Sequence, residues 1–438
     1  MTRSELARLL GAPVGLVAEE RREPAVVEDK DPRGFMAALA SATAQGGIVM
    51  LASDAWGESE RRQLAALREM AAVTPATAAG KGWLCIPTGG TSGQLKLARH
   101  DEETVAAAVG GFCRHFSLTQ VNAAGLLPLH HVSGLMAWMR CALTGGEYRP
   151  LDWKAVEGGD LPALPAKSQG WVLSLVPTQL ERLLRADCRA GSPDPASGAS
   201  SPAENRRDTA IPPYKGTAVE WLQGFRIIFL GGAPAWPALL AKAAAAQLPV
   251  SLGYGMTETA AMVTGLRPED FLLGVRSNGA VLPHASVQID DDGVVALGGD
   301  SLFRGYYPHW RERTPLATGD LGRLDERGHL QVSGRRDAVI ITGGEKVDPV
   351  EVEAVLRGSG ELIEVIVLGV PDGEWGQAVV AAYPATARPD WAKVKQALDD
   401  QLAAHKRPKR FVPIADWPAN AQGKVNRAEV ARRVAAGS

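Results

Sequence analysis

From Gly47 to Pro177, short apolar runs alternate with stretches of helical spacing, and this alternation narrows the fold more than any other feature of the chain. GIVMLA (47–52), WLCIPT (83–88), AAGLLPL (123–129) and WVLSLVP (171–177) are strand-sized runs with little polar interruption. Between them, RRQLAALREMAA (61–72) and DEETVAAAVGGFCRHF (101–116) carry apolar residues at helical intervals. Buried strands that alternate with helices predict an α/β fold with a parallel core. From about Val287 the texture changes to short β segments: SVQID, GVVALGG and HLQVSG. After Arg335 come strand AVIIT, helix DPVEVEAVLRG, strand LIEVIVLGV and helix WAKVKQALDDQLA. A chain of 438 residues is too long for one ordinary core. The expected division is a large domain over 1–335, β-rich at its end, and a small mobile α+β domain over 336–438. Within the first, DCRAGSPDPASGASSPAENRRDTA (187–210) is too rich in Ser, Pro, Ala and Gly to build a core and reads as a flexible insertion.

Charge and cysteine usage exclude several classes. The formal charge of −2 and the pI near 6.5 show no basic excess, which argues against nucleic acid as partner. No apolar run reaches the length of a membrane span, and MTRSELARLLGAPVGLVAEERR lacks the apolar segment and cleavage site of a signal peptide. Cys85, Cys113, Cys141 and Cys188 are too scattered for a metal knuckle or a disulfide framework. A soluble, cytoplasmic, enzymatic chain is expected, with its oligomeric state open.

The densest chemical signal is IPTGGTSGQLKLARH (86–100). A nucleotide-kinase phosphate loop needs its lysine directly after the last glycine, followed by a hydroxyl residue. Here Lys96 stands three residues after Gly93 and Leu97 takes the hydroxyl's place. The dinucleotide-binding glycine pattern is also absent. What remains is Thr88, Gly89, Gly90, Thr91, Ser92, Gly93 and Lys96, where glycines admit close backbone approach, hydroxyls donate and a cation follows. On these residues alone, a phosphate cradle and a glycine-rich surface turn both stand.

Five further stretches follow in order: LPLHHVSG (127–134), FLGGAPA (229–235), LGYGMTETA (252–260), TGDLGRLDERGHLQVSGRRDAVIITGGEKVDPVEVE (318–353) and PANAQGKVNR (418–427). Together with the loop they resemble, motif by motif and collinearly, the adenylate-forming superfamily of acyl- and aryl-CoA synthetases, luciferases and peptide-synthetase adenylation domains. The resemblance covers roughly residues 83–427 and implies ATP, Mg²⁺ and coenzyme A as co-reactants of a small carboxylic acid. It implies that residues 88–96 hold the β- and γ-phosphates. Gly231, Gly232 and Ala233 would form a backbone wall for adenine and acyl group, with Tyr254 stacking on adenine beside Gly255 and Met256. Thr257 would bond the α-phosphate, Glu258 would hold Mg²⁺, Asp320 would take the ribose hydroxyls, and Arg335 would support ribose or phosphate. Lys424 would bridge carboxylate and α-phosphate, while His131 would pack on the acyl group. Asp337 would be the hinge, and Gly343 and Gly344 would line the tunnel for the pantetheine arm. Gly89 and Leu95 depart from the family pattern, which commonly has serine and proline there.

ALGGDSLF (296–303) also matches the serine motif of carrier proteins, but Ser301 lies among β segments with no helical carrier domain after it. Outside the nucleotide motifs, RPEDFLLG and NGAVLPHA (267–285) are similar to the o-succinylbenzoate–CoA ligase family. That implies transfer of the succinyl carboxylate to AMP and then to coenzyme A, and a second, aromatic carboxylate that needs donors. Gly253, Gly255, Ala260 and Ala261 are expected to leave room for the ring. Three alternatives stay open: another aryl- or short-acyl-CoA ligase, a stand-alone adenylation domain serving a carrier protein, and an ATP-binding pseudoenzyme.

Overall fold

Among the described residues, four sheets organise the chain. The computed structural model describes residues 1–13, 23–71, 81–88, 94–163, 170–190, 214, 216–419 and 425–436. The first sheet orders Ala25–Val27, Val49–Leu51, Leu84–Thr88 and Lys96–His100, parallel except for the last strand, which returns antiparallel on Leu84–Thr88. The second has seven strands. Its parallel centre is Asn122–Gly125, Trp171–Leu175, Ile227–Leu230 and Val250–Met256, with antiparallel Ala261–Gly265 beyond. The third is antiparallel throughout, from Ala285–Ile289 to Leu330–Arg335. The fourth holds Ile340–Thr342, Glu345–Val347, Ile366–Asp372, Gly376–Pro384 and Arg410–Ile414. The α/β reading holds, with a large N-terminal unit and a small C-terminal one.

The largest core packs Trp171, Leu173, Trp221, Phe225, Ile228, Leu239 and Phe271, each at most 3% exposed, between the second sheet and its helices. Burying such side chains gains about 1.5–3 kcal/mol each. The small unit has a separate core around Val352, Leu356, Val379 and Val394. Among the described residues, no helix is long and apolar enough to cross a membrane.

Four boundaries differ from the sequence expectation. AAGLLPL leaves the sheet after Gly125, because Leu126, Leu127 and Leu129 are buried in the turn that leads to the next helix. LIEVIVLGV becomes strand only at Ile366, and AVIIT only at Ile340, after a 3₁₀ turn at Arg336–Ala338. The expected insertion overlaps the helix Pro177–Ala190 through residue 190, and its remainder, 191–210, lies outside the described residues. Ser301 is buried at 1% exposure directly after the strand Val294–Gly299, so it presents no carrier serine.

One buried ion pair ties the strand after the glycine loop to the third sheet's flank. Arg304 donates Nε to Asp101 Oδ2 at 2.7 Å and Nη2 to Oδ1 at 3.1 Å. Asp101 also caps the helix Glu102–Phe116 by accepting from Thr104 N at 3.0 Å. Burial alone would raise the Asp101 carboxyl, but the Arg304 and backbone hydrogen bonds hold it below its usual value. Its stabilisation is therefore present at neutral pH and is lost as pH falls through that lowered value. Arg304→Met strands the carboxylate and is expected to remove about 3–5 kcal/mol, read from urea unfolding at pH 7. A change within about 0.5 kcal/mol, as for an ordinary surface substitution, would contradict the assignment.

The two units touch through both apolar and polar contacts, with Ala354 and Ile363 of the small unit packed on the largest core. Arg182 pairs with Glu364 at 3.3 Å, Arg185 Nη2 donates to the Gly360 carbonyl at 2.7 Å, and Arg357 lies 5.7 Å over the Trp236 ring.

Candidate functional site

The strand Val250–Met256 ends in a 3₁₀ turn, Thr257–Thr259, and the chain reverses through Ala260 and Ala261 at φ 50 and 82°. Thr259 holds that reversal by donating its hydroxyl to the Ala261 carbonyl at 2.7 Å. A side chain at Gly255 would put its Cβ 1.9 Å from that same carbonyl, and one at Gly253 would strike Met262. These two glycines therefore permit the close strand contact.

The turn presents Thr257 and Glu258 together, each fixed from the neighbouring elements. His100 Nε2 lies 2.7 Å from the Thr257 carbonyl, so it is the nitrogen that carries the proton. Burial lowers the His100 pKa to about 4, which keeps the ring neutral. The Glu258 backbone carbonyl accepts from Phe303 N at 2.8 Å. Its buried carboxylate accepts from Tyr306 Oη at 2.5 Å. Burial and that carboxylate raise the Tyr306 phenol above its ordinary value, so it remains the donor. Lys96 Nζ sits 5.5 Å over the Tyr306 ring. No group of three His, Cys, Asp or Glu suited to a metal forms among the described residues. One carboxylate is a poor site for zinc but fits Mg²⁺, which keeps waters and takes further oxygens from substrate phosphates. Glu258 would hold it.

A second cluster lies at the end of the third sheet. Asp320 and Arg335 are cross-strand partners, and the Asp320 carboxylate accepts the Tyr254 hydroxyl. Arg335 reaches Asp320 at 3.6 Å while donating twice to Asp337, at 2.8 and 2.9 Å. Those hydrogen bonds hold the Asp337 carboxyl below its usual value. Tyr254, Asp320, Arg335 and Asp337 thus form one polar chain between the second sheet and the start of the small unit.

The other sequence candidates fall around these clusters. Thr88 and Lys96 are paired across the first sheet's hairpin, so the two ends of the glycine loop are fixed. Gly89, Gly90, Thr91, Ser92 and Gly93 lie outside the described residues, as does Lys424. Gly231, Gly232 and Ala233 follow the strand Ile227–Leu230, with Gly232 at φ 78° and open space where a Gly231 side chain would stand. His131 begins the helix Val132–Thr144, its ring 4.2 Å from His130. Gly343 and Gly344 form a left-handed turn at φ 57 and 83°, with Gly343 N donating to the Trp375 carbonyl at 2.9 Å.

Sequence reasoning missed Arg140. It is buried on the helix that follows His131, and its guanidinium stacks 3.9 Å from the Phe112 ring centroid. Its Nε has no hydrogen-bond partner, and no described carboxylate pairs with it. Burial lowers its pKa to about 10. His284 is likewise buried, and burial and the nearby Arg140 help lower its pKa to about 4. A buried guanidinium without an acid partner would receive an anion. An arginine inside an apolar helical run, VSGLMAWMRCALT, was the available signal.

Open backbone at Gly231, the buried Glu258 carboxylate and the Tyr254–Asp320–Arg335 chain are the features the structure places at the sequence motifs. The chain belongs to the AMP-binding enzyme family, which matches residues 12–307, and the AMP-binding enzyme C-terminal domain matches 351–424. It is 32% identical over 314 residues to a 2-succinylbenzoate–CoA ligase of Listeria monocytogenes, covering 70% of this chain and 60% of that one. It is 30% identical over 354 residues to the enzyme of the same name from Listeria innocua, covering 79% of this chain and 69% of that one. The chain thus spans about 60% of the length of the first of these curated relatives. In fold it is similar to the o-succinylbenzoate CoA synthetase of Bacillus subtilis solved with its acyl-adenylate intermediate. That match has a TM-score of 0.69 at 21% identity and covers 98% of this chain and 91% of the other.

Proposed function

We propose that the chain is an AMP-forming acid–CoA ligase that activates o-succinylbenzoate. A carboxylate is a poor acyl donor until its oxygen becomes part of a good leaving group. In the first half-reaction a carboxylate oxygen attacks the α-phosphorus of ATP, and the bond to the pyrophosphate oxygen breaks. In the second, the thiolate of coenzyme A attacks the acyl carbon and AMP leaves.

Each described group has a part in this scheme. Bound Mg²⁺ would screen the triphosphate charge. Glu258 would hold the cation, and Thr257 would donate to the α-phosphate from a turn that His100 fixes. Asp320 would accept from the ribose hydroxyls, exchanging its bond to Tyr254 for them and freeing the Tyr254 ring to meet adenine. Gly231, Gly232 and Ala233 let the nucleotide lie against bare backbone. The strand-paired Thr88 and Lys96 would set the glycine loop on the β- and γ-phosphates. His131 would close the acyl pocket, Asp337 would be the hinge, and Gly343 and Gly344 would flank the pantetheine arm. The reading carries with it a cytoplasmic setting, where ATP and free coenzyme A meet.

The observation that carries the choice of acid is Arg140. A substrate with a second carboxylate must leave it charged beside the reacting arm, and a buried cation without an acid partner supports that role. The names of the curated relatives support the same acid. Arg140→Met is expected to weaken o-succinylbenzoate binding by about 2 kcal/mol, roughly a thirtyfold rise in KM. The KM for ATP and the turnover of a monocarboxylate such as benzoate should not change. Equal weakening for ATP and acid would contradict the assignment.

A further inference from the structure

Tyr306 joins two parts of the site that the sequence keeps far apart. Its segment is tied to the strand that follows the glycine loop: Arg304 N donates to the Arg99 carbonyl at 2.8 Å and Tyr307 N to the Leu97 carbonyl at 2.9 Å. Ala98 and Tyr306 themselves form a β-bridge. The ring is held edge-on against Phe303, centroids 4.9 Å apart, with Lys96 Nζ above it. From that position the hydroxyl reaches only one oxygen of Glu258, Oε1, at 2.5 Å. No other hydrogen bond to this carboxylate forms among the described residues.

We propose that Tyr306 is a positioning residue that presets the Glu258 carboxylate for the divalent cation of bound ATP. The inference rests on the reading of Glu258 as the cation-holding residue. An unrestrained glutamate has three side-chain torsions to order when it meets a cation, and that ordering opposes binding. A hydrogen bond to Oε1 fixes the carboxylate plane beforehand and leaves Oε2 for the cation. Because Tyr306 rides on the strand that begins with Lys96, the carboxylate is set in register with the phosphate-holding loop. Partners that orient a liganding group in this way are worth about 10–100-fold in metal affinity.

The test is the ratio of ATP affinities with Mg²⁺ and with EDTA, measured by calorimetry on the full chain without acid or coenzyme A. Tyr306→Phe keeps the ring, its packing on Phe303 and its place under Lys96, and removes only the hydroxyl. The expected result is a roughly tenfold smaller Mg²⁺-dependent gain, with the affinity in EDTA unchanged. An unchanged gain would overturn the inference, and so would equal weakening with and without the cation, which is what general damage to the fold produces. Glu258→Gln separates the two levels. If it retains the full Mg²⁺-dependent gain, the reading of Glu258 fails and takes the inference with it. If it loses the gain while Tyr306→Phe keeps it, only the role of Tyr306 falls.

Discussion

Lys424→Ala is expected to slow formation of the acyl adenylate by on the order of a thousandfold while leaving thioester formation from supplied adenylate intact. The asymmetry follows from where charge develops. In the first half-reaction two anions, the acid carboxylate and the α-phosphate, approach each other, and an ammonium between them is worth most at that moment. In the second half-reaction a neutral acyl carbon meets a thiolate, and the same cation has much less to stabilise. Pyrophosphate release and thioester formation, assayed separately, decide the matter. Equal loss in both would remove Lys424 from its assigned role and point to damage in the small unit as a whole.

Asp337→Pro is expected to do the reverse, sparing the adenylate and slowing the thioester step by on the order of a hundredfold. Proline fixes φ near −65° and removes the amide donor at the position where the chain leaves the third sheet. If the small unit must swing between two faces, that torsion has to change. The polar part of the contact between the units opposes such a swing only weakly. Arg182–Glu364 and Arg185–Gly360 join partly exposed groups, and pairs of this kind contribute about 0–1 kcal/mol each. Asp337→Ala is the control, since it removes the bidentate partner of Arg335 but leaves the torsion free. If the alanine variant loses the thioester step as fully as the proline variant, the carboxylate matters and the torsion does not.

Local features were legible in the sequence. The alternation of apolar runs with helices foreshadowed the parallel centre of the second sheet, and the strand entering the glycine loop at Leu84–Thr88 lies where WLCIPT placed it. Thr257, Glu258, Asp320 and Arg335 could be named because short motifs carry them. The run AAGLLPL shows the limit, for apolarity marks burial and does not separate a strand from a buried turn containing Pro128. The supporting contacts lie beyond local reading altogether. His100 meets Thr257 across 157 positions and Arg304 meets Asp101 across 203, and no periodicity encodes such pairings. Arg140 gave a signal only as a charge inside an apolar helix. Gly253 and Gly255 were seen, but their reason, a close approach of the adjoining strand, appears only when Ala261 and Met262 are in place.

The most direct test of the central claim is pyrophosphate release with ATP, Mg²⁺ and coenzyme A across o-succinylbenzoate, benzoate, 4-coumarate, acetate and octanoate. The account predicts a clear preference for o-succinylbenzoate, with turnover that depends on coenzyme A and yields AMP. Faster turnover of any other acid in the panel, or ATP binding without pyrophosphate release for all of them, would contradict it.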